Sequence, residues 1–197
     1  MNAPRNTQYR HLDVQKIAGS LGAEVRGVDL SKDVSEEVLA EIRKALLDNL
    51  VIAIRDQSIT PDQQLAFARR WGEIHLHPFM QGMDDHPEIL KIVKRPTDKK
   101  NFGGSWHTDQ MFSPSPAMGT MLYALEVPSA GGDTLFTNQY LAYESLSDEM
   151  KKIAGQLRTV CVGDNFKAAD GMSRKQRYDR QMSEMKVKDP GDVITTS

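Results

Sequence analysis

Trp106-His107-Thr108-Asp109 follows Gly103-Gly104-Ser105 and places an imidazole two residues from a carboxylate. On an extended backbone, positions i and i+2 share a face, so both groups could bind one metal ion. Two histidines and one carboxylate hold non-heme Fe(II) in oxygenases and leave coordination positions open, and His107 with Asp109 would be two of those three ligands. No histidine follows His107 in the chain. The competing reading is a His–Asp hydrogen bond satisfied within a core.

Spacing alone is a weak signal. With 5 histidines and 27 acidic residues in 197 positions, chance gives about 0.7 matches to His-x-Asp/Glu, and such matches are only hypotheses. Three occur. His11-Leu12-Asp13 lies in a polar segment and reads as a solvated pair. His86-Pro87-Glu88 follows Asp84-Asp85 and precedes Ile89-Leu90, as expected of a turn leading into a strand. The third match differs in its surroundings: glycines before it allow close backbone approach, Trp106 offers an apolar anchor, and Met111-Phe112 continue the apolar pattern.

A longer series of blocks carries more information than any one of them. Trp106-His107-Thr108-Asp109, Pro114 and Pro116, Pro128-Ser129-Ala130-Gly131-Gly132-Asp133-Thr134-Leu135-Phe136 and Tyr143-Glu144-Ser145-Leu146 occur in that order. Together with Trp71-Gly72-Glu73-Ile74-His75-Leu76-His77-Pro78 and Gly22-Ala23-Glu24-Val25, they resemble the taurine dioxygenase (TauD/TfdA) family of Fe(II)- and 2-oxoglutarate-dependent oxygenases, over roughly residues 15 to 160. The resemblance implies a double-stranded β-helix in which His107 and Asp109 are catalytic iron ligands, completed by a distal histidine. It further implies that 2-oxoglutarate takes two open positions and O2 a third, that succinate and CO2 are released, and that a substrate carbon is hydroxylated.

Two further residues acquire roles through the resemblance. Thr134 corresponds to a threonine that hydrogen-bonds the 2-oxoglutarate carboxylate, a task suited to a hydroxyl donor; by itself, Gly131-Gly132-Asp133-Thr134 is an ordinary turn entering a strand. His77 matches a histidine that binds the substrate sulfonate in taurine-cleaving members, and a protonatable imidazole can pair with an anion near neutral pH. A partly buried loop histidine is the alternative for His77, and more strongly for His75. Met80 stands where an aromatic hydroxyl is expected, and Gly103 where a polar residue is expected. The implied substrate is therefore a small organic acid of sulfonate, sulfate ester or aryloxy acid type rather than taurine specifically. Phe79, Met80, Phe102, Trp106, Met111 and Phe112 could wall its pocket, but core is the preferred reading for most.

The elements that would position these groups can be read from periodicity. Asp33 followed by Glu36 suggests a capped helix start, and Val38, Leu39, Ile42, Ala45 and Leu46 form an apolar stripe ending near Asn49. Leu50 to Ile54 has the length of a buried strand. Thr60-Pro61-Asp62-Gln63 opens a second helix, with Leu65, Ala66, Phe67 and Trp71 on its apolar side and Gly72 as its stop. Strands are expected at Ile89 to Val93, Met118 to Val127, Thr134 to Thr137 and Thr159 to Val162, with a helical interlude from Gln139 to Leu157 broken around Ser147. This pattern predicts a mixed α+β, mainly β fold, a small barrel or jelly roll with flanking helices.

Residues 1–14 read as a polar leader and 15–197 as a single, incomplete domain of this type, truncated before the return strands. Those strands would carry the distal histidine and an arginine that grips the cosubstrate. Arg174, Arg177 and Arg180 lie in a charged tail that reads as a solvated helix or insert and are not assigned that task. The alternative function is a truncated, non-catalytic binding or assembly module of the same fold.

Composition narrows the class further. The chain is 39% hydrophobic with a net charge of −2, enough for a substantial core and without a basic field for nucleic acid. Cys161 is the only cysteine, so no intrachain disulfide can form and the thiol reads as a small buried hydrophobe. No apolar run reaches membrane-spanning length, and Met1 to Arg10 lacks the apolar centre of a secretory signal. The expectation is a cytoplasmic enzyme with a small-molecule substrate, no nucleic-acid or membrane partner, and homo-oligomerisation as an option that no surface singles out.

Overall fold

The computed structural model describes residues 8–77, 80, 82–95, 97, 104–113, 115–161 and 176. The expected solvated tail, apart from Gln176, lies outside this range, as do Phe79, Phe102 and Gly103. The chain divides into two compact units, Met1–Phe67 with Tyr123–Leu157, and Ala68–Leu122 with Arg158–Ser197.

The first unit is built on a three-stranded sheet, β1 (Asp13–Lys16), β2 (Ala23–Arg26) and β3 (Ile52–Ile54), in that spatial order. β1 pairs antiparallel to β2 and β2 parallel to β3. Alternation along β2 buries Ala23 and Val25 completely, while Glu24 on the other face pairs with Arg26 and Arg55. The crossover between β2 and β3 is helix α1 (Glu36–Asn49), which buries Leu39, Ile42, Ala45 and Asn49, with Val38 and Leu46 half-buried beside them.

The apolar stripe expected on α1 is thus present, but its cap is Ser35 rather than Asp33. Ser35 has an extended backbone and its hydroxyl accepts from Val38 N at 3.4 Å. The helix ends at Asn49 because Leu50 adopts a left-handed φ of 66°, so Leu50 is a helix cap and not the first residue of a strand. Asn49 then joins helix to sheet: its amide donates to Ala45 O at 2.8 Å, and its carbonyl accepts from Gly22 N at 2.8 Å.

The expected leader contributes to this core through Tyr9, Leu12 and Val14, all buried. The Glu41 carboxylate accepts the backbone N–H groups of Arg10, His11 and Leu12 at 2.8, 3.0 and 3.1 Å. Desolvation pushes the pKa of Glu41 up, but these three donors outweigh it and hold the acid below its usual range. Tyr9 donates to Asp48 at 2.9 Å, and Lys44 pairs with the same carboxylate while lying over the Tyr9 ring.

Helix α2 (Pro61–Arg69) starts at the expected capping box. Gln63 N donates to Thr60 Oγ1 at 3.3 Å, and Thr60 N donates to Gln63 Oε1 at 2.8 Å. Leu65 and Phe67 are its buried residues. The helical interlude forms α3 (Gln139–Glu144) and α4 (Asp148–Ala154), capped by Asn138 and Ser147, so the break falls where expected.

The four strands expected after α2 do not form among the described residues. Ile92, Val93, Met118, Leu122, Leu125, Val127, Leu135 and Phe136 are exposed. Hydrophobic β-branched residues favour a pleated surface, but a strand exists only where a neighbouring strand accepts its ladder, and among the described residues none pairs with these segments. Within the first unit, the Tyr123 hydroxyl donates to Gln57 O at 3.2 Å and accepts from Ile59 N at 3.3 Å.

Candidate functional site

In the second unit, His107 and Asp109 sit on irregular backbone that enters a tight turn at Asp109 to Phe112. Gln110 takes a left-handed φ of 54°, and Ser113 N closes the turn on Gln110 O at 2.9 Å. His107 Nε2 and Asp109 Oδ1 stand 3.4 Å apart, with the side chains 52% and 68% exposed. That exposure rules out a His–Asp pair satisfied inside a core.

The other imidazole nitrogen is engaged. His107 Nδ1 lies 2.7 Å from Ser105 O, and a carbonyl can only accept, so the neutral ring carries its proton on Nδ1. The Nε2 lone pair is then available on the side facing Asp109. A backbone carbonyl holding the far nitrogen is the usual device for fixing the tautomer of a metal-binding histidine. Donors at about 2.1 Å and at right angles around one ion stand about 3 Å apart, close to the separation observed here. The donor set and its convergence fit an intermediate divalent ion, although no group of three His, Cys, Asp or Glu able to hold a metal occurs among the described residues.

Asp109 has a second neighbour that the sequence did not mark. Thr120 Oγ1 lies 3.5 Å from Asp109 Oδ2. A threonine eleven positions away carries no spacing signal.

The other expected site residues are distributed as follows. His77 is half-buried and belongs to the second unit, whereas Thr134 is exposed and belongs to the first. Thr134 follows Gly131 and Gly132, whose φ values of 77° and 76° are left-handed conformations suited to glycine. Neighbouring atoms crowd the His75 imidazole enough for desolvation to lower its pKa, although the residue as a whole stays exposed.

Trp106 and Met111 are exposed and Phe112 half-buried, so the core reading of Trp106 and Met111 does not hold. Among the described residues no packed layer covers their segment. His86 lies in the expected turn, with Met83 N bonded to Ile89 O at 2.9 Å and His86 N to Met83 O at 3.3 Å. His11 is tied through its backbone to Glu41, and Asp13 accepts from Gln15, so that pair does not converge on a site.

Comparison with known proteins bears on these residues as a set. The sequence matches the family described as "Taurine catabolism dioxygenase TauD, TfdA family" over residues 13–191. It is 35% identical over 150 residues to an alpha-ketoglutarate-dependent sulfate ester dioxygenase of Pseudomonas putida, covering 76% of this chain and 49% of that protein. A taurine dioxygenase from Burkholderia xenovorans superposes with a TM-score of 0.66 at 34% identity, over 75% of this chain and 52% of the other. The structure of AAD-2 in complex with Mn(II) and N-oxalylglycine superposes with a TM-score of 0.57 at 29% identity, over 72% and 48% of the two chains. The chain spans about half the length of the curated relatives it matches. With nearly the whole sequence matched and the His-x-Asp pair inside the matched range, the chain belongs to the TauD/TfdA dioxygenase family.

Proposed function

We propose that the protein is an Fe(II)- and 2-oxoglutarate-dependent dioxygenase that hydroxylates a small organic acid, with His107 and Asp109 as two of the iron ligands. The observation that carries this reading is the convergence of His107 Nε2 and Asp109 Oδ1 at 3.4 Å, with His107 Nδ1 occupied by Ser105 O. Iron bound there would supply O2 activation coupled to the oxidative decarboxylation of 2-oxoglutarate.

The chain's own residues prepare that chemistry. Ser105 O fixes the His107 proton on Nδ1 and leaves Nε2 as a donor. Asp109 contributes an anionic oxygen that offsets part of the ion's charge. Thr134 donates its hydroxyl to a carboxylate oxygen of 2-oxoglutarate. His77, when protonated, pairs with the anionic head of the substrate.

The substrate class follows the relatives, one named for sulfate esters and another for taurine, a sulfonate. An aryloxy acid offers the same pairing of an anionic head with an apolar body. The AAD-2 complex, which holds Mn(II) and N-oxalylglycine, supports a site for a divalent ion and a small dicarboxylate. The double-stranded β-helix is proposed for the protein as a whole, with 15–197 within one domain. A cytoplasmic location is proposed from the lone Cys161. Among the described residues no helix is long and apolar enough to cross a membrane. The non-catalytic binding module has no specific observation in its favour.

The test is succinate formation from 2-oxoglutarate by the protein carrying these residues, with Fe(II) supplied. His107→Ala and Asp109→Ala should each abolish iron-dependent succinate release. Unchanged turnover in either variant would refute the metal assignment.

A further inference from the structure

We propose that Thr120 is a positioning residue for Asp109, its hydroxyl holding one carboxylate oxygen so that the other faces His107. The inference rests on the reading of His107 and Asp109 as metal ligands. The two oxygens of Asp109 have different neighbours: Oδ1 lies 3.4 Å from His107 Nε2, and Oδ2 lies 3.5 Å from Thr120 Oγ1. An ionised carboxylate only accepts, so the threonine O–H is the donor.

At 3.5 Å the contact is at the outer edge of hydrogen-bonding distance. Its consequence is orientation. The Asp109 side chain is 68% exposed, so no packed wall fixes its torsion, and a hydroxyl on one side is what distinguishes its two oxygens. Between the two residues the chain turns at Gln110, with its φ of 54° and the Ser113 N–H closing on Gln110 O, and residue 120 lies beside residue 109. An oxygen engaged by Thr120 would be the poorer donor, which would leave Oδ1 as the oxygen that Asp109 offers to an ion.

The test is Mn(II) binding by the intact protein, read from the loss of the free-ion electron paramagnetic resonance signal, in the unsubstituted chain, Thr120→Val, Thr120→Ser and His107→Ala. Valine keeps the branched shape without the hydroxyl, and serine keeps the hydroxyl without the methyl. Thr120→Val should weaken Mn(II) binding by about 10-fold, the lower end of the effect of removing a partner of a metal ligand. Thr120→Ser should stay close to the unsubstituted affinity, and all Thr120 variants should share one unfolding midpoint without metal. Loss of binding in His107→Ala with full affinity in Thr120→Val would overturn this inference and leave the metal reading intact. A loss in Thr120→Ser equal to that in Thr120→Val would also overturn it, because the serine variant keeps the hydroxyl. Full affinity in His107→Ala would overturn both.

Discussion

At the scale of single residues, the chain pairs groups whose ionisation is set by a few named neighbours. Burial, the hydrogen bond to Asp48 and the charges of Asp48 and Glu41 push Tyr9 up to about 12. Its folded pKa lies above the usual tyrosine value, so its stabilising contribution is complete below about pH 10 and is lost as pH rises toward 12. Tyr9→Phe should cost about 1 kcal/mol at neutral pH and flatten the alkaline arm of a stability-versus-pH curve measured by urea unfolding. His75 behaves in the opposite sense. Desolvation lowers its pKa, so its contribution is present above about pH 6.5 and is lost as pH falls below that value. A His75→Gln variant should lose less stability than the unsubstituted chain between about pH 7 and pH 5.5, the range in which an ordinary histidine takes up its proton; an identical acid response would contradict this. The nearness of His107 to Asp109 was legible at this scale because their spacing is short. Thr120 was not, since it lies eleven positions from Asp109 and no spacing rule links the two.

At the scale of elements, what could be read in advance was what is local. Thr60 and Gln63 exchange two hydrogen bonds within four residues, and that capping box is visible in the sequence as it stands in the structure. Thr60→Ala should destabilise the protein by about 1 kcal/mol, measured as a lowered urea midpoint with unchanged slope. The stripe on α1 is equally local, and Ile42→Ala, at a fully buried position, should cost about 2–5 kcal/mol. Segment 118–127 was less legible: its composition is that of a strand, but pairing depends on a distant neighbour that composition does not reveal. The short strand Asp13-Val14-Gln15-Lys16 was missed for the converse reason. It is mostly polar, and its place in the sheet comes from pairing with β2 and from the Glu41 carboxylate gathering the three preceding N–H groups.

At the scale of the whole molecule, family membership was carried by the order of blocks between residues 22 and 146 and not by any single motif. The match over residues 13–191 extends that order across most of the chain. Thr134 and His77 gain their proposed roles from this order alone, because neither has a local environment that marks it. The central claim is that this family's oxygen chemistry operates here. Its most direct test is the reaction of the protein carrying these residues with 2-oxoglutarate and Fe(II) under 18O2, followed by mass spectrometry of the succinate. One labelled oxygen in each newly formed succinate, lost together with turnover in His107→Ala, is the predicted result. Succinate formed without label, or labelled equally by the His107→Ala variant, would contradict the account.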